Sequence, residues 1–266
     1  MSAAFYIDLG VFLLISTLLS SVGLGGGAFY VPLLLALGYS FQVSSSISLF
    51  LITVTGFSAF ARFQRANLVD WKLAVVMDTF TDIGAFVGGV TAIHIKTGIL
   101  KIAFALLLVI AAVFMFKMQK RSKTAHVLRR GFGYWQRQFG DYHYSIFLPA
   151  IFPITFAIGY LSGALGVAGG LLKIPIMILW FGVPAKIAVA TSSLMVGLTG
   201  LLGFGGHFFT GQINWMMSLG LGIIVLVGGQ IGSRLSIRLP EQKLKTMIAV
   251  VFVLIALWMI LKALQV

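Results

Sequence analysis

The chain alternates long apolar runs with short polar breaks. The runs cover residues 3–22, 28–37, 43–61, 73–93, 98–116, 145–165, 171–181, 187–206, 215–233 and 245–264. About 20 helical residues cross the hydrocarbon of a bilayer, so seven or eight of these runs predict spanning helices. Two do not. Runs 28–37 and 171–181 would rise only about 15–17 Å as helices, half a bilayer. Each follows a glycine-rich break. The first break is Gly23-Leu24-Gly25-Gly26-Gly27 with Pro32 beyond it, and the second is Gly166-Val167-Ala168-Gly169-Gly170 with Pro175 beyond it. A short arm behind such a break reads as one limb of a re-entrant hairpin or half of a broken helix.

The two breaks correspond, with equivalent glycines and prolines 143 residues apart. At an offset of 144, Asp70-Trp71 matches Asn214-Trp215, and Gly84 and Gly88 match Gly228 and Gly232. The expected fold is an all-α integral membrane protein built from two repeats. Each repeat is a re-entrant or broken-helix hairpin followed by three transmembrane helices. Residues 1–117 form the first repeat, 118–144 a basic loop and 145–266 the second repeat. Interrupted segments in corresponding halves are the sequence mark of a transporter's binding site.

Composition agrees. The chain is 59% hydrophobic and 9% charged, against about a quarter charged for a soluble domain. It has no cysteine, which excludes thiolate metal sites, disulfides and cysteine nucleophiles. The first run has no basic leader and no convincing cleavage site, and reads as a mature membrane segment. The net charge of +13 falls between apolar runs, a pattern of membrane orientation rather than of nucleic-acid binding.

Loop 117–144 carries Lys117, Lys120, Arg121, Lys123, Arg129, Arg130 and Arg137, and is placed in the cytoplasm. If 145–181 is a hairpin, 15 of the 19 Lys and Arg lie inside, with Lys96, Lys101 and Lys262 outside and Lys173 within the membrane. A straight crossing there would move Arg234, Arg238, Lys243 and Lys245 outside. The hairpin fits better, and it gives the halves inverted topology with both termini periplasmic. The loop's interleaved aromatics, Phe132, Tyr134, Trp135, Phe139, Tyr142 and Tyr144, suit the headgroups of anionic lipids.

The glycine breaks have two readings. One is close helix packing. The other, favoured by the repeated arm and proline, is an unwound turn whose free N–H groups face an anion. Gly84 and Gly88, and Gly228 and Gly232, lie in uninterrupted segments at one-turn spacing and read as packing. Ser44, Ser45, Ser46 and Ser48, and Thr191, Ser192 and Ser193, open the helices after the short arms. They either bond helix carbonyls or face the turns as neutral anion donors. Lys173 either snorkels or attracts the anion, and its counterpart is Tyr30.

Asp78 and Asp82 share one helical face. Both charged in mid-membrane would cost about 5–7 kcal/mol. They are candidates for proton or ion coupling, or partners of Lys173; Asp78, nearer the cytoplasm, has a solvated alternative. Their equivalents are Gly222 and Leu226. His94 and His207 fall at outer ends and read as solvated. No ATP-binding, nucleophile-elbow, zinc-protease or dinucleotide motif is present.

Gly25-Gly26-Gly27 to Pro32, Gly166 to Pro175, the Ala190-Thr191-Ser192-Ser193 run and the twofold repeat resemble the sulfite exporter TauE/SafE family over nearly the whole chain. That resemblance implies a bacterial inner-membrane transporter of small sulfur-containing anions such as sulfite or sulfonates.

The expected function is therefore a secondary transporter, an exporter working by alternating access. The expected substrate-binding residues are Gly25, Gly26, Gly27, Ser45, Ser46, Gly169, Gly170, Lys173, Thr191 and Ser192, with Asp82 and Asp78 for coupling. No cofactor, metal or catalytic residue is expected, and a homodimer is possible on this reading. A passive anion channel and a carrier of another small organic anion are the alternatives. A membrane-embedded enzyme or assembly partner ranks last.

Overall fold

The computed structural model describes residues 3–120, 131–167, 169–209 and 213–240, with scattered positions between 242 and 250. Nine α-helices and one β-hairpin are formed among them. In chain order they are α1 (Ala3–Ser21), α2 (Gly27–Ala36), α3 (Phe41–Arg65), α4 (Trp71–Thr91), α5 (Thr97–Lys120), β1 (Tyr134–Phe139), β2 (Tyr142–Phe147), α6 (Leu148–Leu165), α7 (Gly170–Leu179), α8 (Ala185–Phe208) and α9 (Trp215–Arg238). The last apolar run, 245–264, falls almost entirely outside the described residues, as do Arg121, Lys123, Arg129 and Arg130.

Five helices among the described residues are long and apolar enough to cross a membrane: α3, α4, α6, α8 and α9. Val75, Ile83, Ile102, Met216 and Ile223 are exposed on the outside of the bundle. Serines, threonines, Asp78 and Lys173 are buried inside it. Water would penalise that arrangement and lipid favours it. The short arms have the expected length, since α2 and α7 each hold 10 residues.

Local chemistry sets the helix ends. Ser40 caps α3 by accepting from the Val43 N–H, Asp70 caps α4 by accepting from Lys72 and Leu73, and Asn214 caps α9 by accepting from Met217. Such caps satisfy first-turn donors that have no helical acceptor. Asp70 and Asn214 are the matched pair of the sequence repeat.

Helix pairings recur with the partners exchanged. α4 packs on α6 as α1 packs on α9, α4 packs on α8 as α3 packs on α9, and α2 lies on α3 as α7 lies on α8. α3 and α8 pair with each other at the centre. There Gly56 meets the Gly197 backbone, and Gly200 meets Thr53.

The one-turn glycines are packing positions, as expected. A Cβ on Gly84 would lie 2.3 Å from the Phe156 carbonyl oxygen, and one on Gly88 2.1 Å from that of Tyr160. Gly228 and Gly232 lie against Ser16 and Ser20 in the same way. With no hydrophobic drive between helices in lipid, such close approach is the source of association.

The hairpin departs from the expected loop. Strands β1 and β2 are antiparallel, pairing Tyr134 with Phe147 through to Phe139 with Tyr142 around Gly140-Asp141. Residues 145–147, expected to open a membrane segment, are therefore strand, and α6 starts at Leu148-Pro149. Five of the six aromatic residues expected among lipid headgroups, all but Phe132, are strand residues, and a Gly-Asp pair between two such runs is a tight-turn signal.

Candidate functional site

The two glycine breaks lie inside the bundle and touch each other. The space beside Gly170 is closed by the Gly23 carbonyl oxygen, 2.9 Å from where a Cβ would sit. Gly23 and Gly166 both have positive φ, at 77° and 70°. Gly23 rests against the backbone of Val189 on α8, and Gly166 against that of Ser45 on α3. Residues at these two places need both a left-handed backbone and no side chain, and only glycine supplies both.

A pair of hydroxyls ties each turn to the opposite half. Ser192 on α8 donates to the Gly23 carbonyl at 2.9 Å, and Ser48 on α3 donates to the Gly166 carbonyl at 2.6 Å. Ser48 and Ser192 are 144 residues apart. Each half thus satisfies a carbonyl that its partner half leaves free at an interrupted helix. Ser192, expected as an anion donor, is already committed to this bond. Thr191 is also engaged elsewhere, because its Oγ1 accepts from the Asp70 N–H at 3.0 Å.

The other expected serines are not committed. Among the described residues, the Ser44, Ser45 and Ser46 hydroxyls are buried without a hydrogen-bond partner. Most buried polar side chains find one. Of the three, Ser45 lies directly against Gly166, through its backbone and Cβ. Gly25, Gly26, Gly27, Gly169 and Gly170 are all buried around the turns. Gly169 approaches the Lys173 side chain and the Ser162 hydroxyl.

Lys173 is fully buried and does not snorkel. Its ammonium donates to Asp78 Oδ1 in an ion pair and to Thr199 Oγ1 at 3.1 Å. Lys173 is thus not a free anion-attracting charge, and Asp78 is not solvated; each neutralises the other, as burial requires. Thr199 Oγ1 is also 3.3 Å from Asp78 Oδ1 and 3.3 Å from Asp82 Oδ1. Its single proton can serve only one carboxylate at a time. Asp78 Oδ2 has no partner. With both carboxylates ionised, the cluster carries one negative charge and too few donors.

The corresponding place in the first half is neutral. The buried Tyr30 hydroxyl pairs with Thr55 Oγ1 at 3.3 Å, and Thr55 is the counterpart of Thr199. The offset could have exposed this pair, since Tyr30 and Lys173 align, but neither threonine stands out from a helix rich in hydroxyls.

A second buried centre lies at the start of α4. Asp70 receives Arg137 Nε at 2.9 Å and Nη2 at 2.8 Å, and the Tyr144 hydroxyl donates to it as well. The Arg137 guanidinium is held above its usual range chiefly by its hydrogen bond to Asp70. Burial, then the bond to Asp70, pushes the Tyr144 phenol up. Arg137 and Tyr144 therefore dock the hairpin onto the start of α4. His207 is likewise buried, not solvated, with Nε2 3.0 Å from the Gly163 carbonyl oxygen.

Comparison with known proteins fits a multi-pass membrane protein. No solved structure matches the chain. It is 28% identical over 255 residues to the Bacillus subtilis protein named "Probable membrane transporter protein YunE", covering 91% of this chain and 92% of that one. It is also 28% identical over 258 residues to a similarly named Methanocaldococcus jannaschii protein, covering 91% and 90%. The family model described as "Sulfite exporter TauE/SafE" matches residues 9–259, so the chain belongs to the TauE/SafE family of multi-pass membrane proteins.

Proposed function

We propose that the protein carries a small sulfur-containing anion, sulfite or a sulfonate, outward across the bacterial inner membrane by alternating access. The observation that carries this reading is the run of buried, unpartnered hydroxyls of Ser44, Ser45 and Ser46 on α3, with Ser45 against the Gly166 turn. Neutral donors with no protein acceptor suit an anion, and they hold it less tightly than a guanidinium would, so it can leave. The first-turn N–H groups of α2 and α7 lack helical acceptors and add positive partial charge.

The exchanged helix pairings support reading the halves, 1–117 and 145–266, as an inverted repeat about the α3–α8 contact. Loop 118–144 is cytoplasmic in this scheme, and both termini are periplasmic. Rocking about that contact would open the site to one side and then to the other.

The Lys173–Asp78–Thr199–Asp82 cluster is the coupling site. Its excess negative charge repels an anion until a proton arrives on a carboxylate, which also supplies the missing donor. Asp82 is the less buried carboxylate and takes that proton.

Purified protein in proteoliposomes tests this reading. Sulfite or sulfonate flux should saturate, should respond to an imposed pH difference, and should lose that response in Asp82→Asn. Flux that rises without saturation and ignores pH would favour a passive channel. No flux of any tested anion would remove the reading.

A further inference from the structure

Arg62 and Arg65 lie in the last turn of α3, and Gln230 lies on α9. Together with Ala61 and Ala66 they line a cavity of about 480 Å³ between the two helices. Gln230 is fixed: its amide nitrogen donates to Ser58 Oγ at 3.1 Å and to the Ser58 carbonyl, and its oxygen accepts from Arg62 Nε at 3.2 Å. That bond engages Arg62 through Nε, and Arg62 lines the cavity. No acidic side chain among the described residues lines the space. Among the described residues, the ion pairs with carboxylates are those of Arg137 and Lys173.

Attraction to a helix C-terminus explains basic residues in a last turn. It does not explain a hollow of this size lined by two arginines and a locked amide. Planar guanidinium forks match the oxygens of tetrahedral anions. Basic pockets between membrane helices are where acidic headgroups seat. We propose that this cavity binds a tetrahedral oxyanion, either the phosphate of an anionic lipid headgroup or a free inorganic anion of the same shape. One wall comes from each half of the chain, so an occupant would join α3 to α9. The inference does not depend on which anion is transported.

The test uses the full chain. Protein in nanodiscs containing phosphatidylglycerol is analysed by native mass spectrometry for retained lipid. Detergent-purified protein is titrated with inorganic phosphate while its melting temperature is followed. Arg65→Gln, Arg62→Gln with Arg65→Gln, and the control Lys72→Gln are compared. The double variant should lose about tenfold in affinity, and the control should not. Arginine-dependent lipid retention identifies a headgroup site. An arginine-dependent phosphate shift without lipid retention identifies a free-anion site. If the double variant folds poorly, Arg65→Lys, which keeps the charge and loses the fork, must weaken the same signal. Lipid retention and phosphate shifts that match the wild type in all of these variants would overturn the proposal.

Discussion

Lys173 and Asp78 are worth more to the fold together than either is alone. Removing one partner of a buried pair strands the other charge and costs about 3–5 kcal/mol. Lys173→Met should therefore lower the melting temperature sharply in detergent, and adding Asp78→Leu should recover most of the loss. Two independent, additive losses would mean the pair is not the unit described here. Ser45 and Ser46 should behave oppositely. Replacing both with alanine removes unsatisfied hydroxyls, so stability should hold or rise slightly, while the KM for the transported anion increases. Lys173, Asp78 and Asp82 were visible in the sequence because charge inside an apolar run is conspicuous. Ser192 and Thr191 were visible too, but not their engagements, because a hydroxyl's partner is set by a distant carbonyl or amide. Thr199 and the Tyr30–Thr55 pair escaped because threonines are ordinary in membrane helices.

The hairpin and the small-residue seams decide stability among the elements. Deprotonation of a raised phenol separates folded from unfolded states. Tyr144 keeps its proton in the folded protein at a pH where the unfolded chain, with a pKa of about 10, has lost it. Its contribution is full below that pH and declines as the pH rises above it. Melting curves between neutral pH and pH 11 should show a steeper decline for the wild type than for Tyr144→Phe; parallel declines would contradict the docking described for Asp70. On α6, a Cβ at Gly163 would lie 1.9 Å from the Ala85 carbonyl oxygen. Gly163→Ala should thus cost about 1–3 kcal/mol, whereas the same change at the open Gly205 should be nearly neutral; equal melting temperatures would contradict the close α4–α6 seam. The helix lengths, short arms and glycine seams were legible because each has a local period or a break. The hairpin was not, because its strands are short and adjoin a strongly basic stretch that reads as a loop.

Across the whole molecule, the offset in the sequence reappears as interchange in space. Gly23 with Val189 and Ser192 answers Gly166 with Ser45 and Ser48. Each half completes the other's broken helix, so the two turns are linked through these contacts. That reciprocity suits a carrier in which one rearrangement exchanges the exposure of a single site. The symmetry fails where the chemistry differs, with Lys173, Asp78 and Asp82 in one set of positions and Tyr30, Gly222 and Leu226 in the counterpart set. On the proposed reading, the charged set is the coupling site and its counterpart is not. The most direct measurement is the uptake of sulfite or a sulfonate into proteoliposomes as a function of concentration and of pH gradient. The account predicts saturable flux whose KM rises in Ser45→Ala with Ser46→Ala and whose pH response disappears in Asp82→Asn; flux that never saturates, or that ignores both changes, would contradict it.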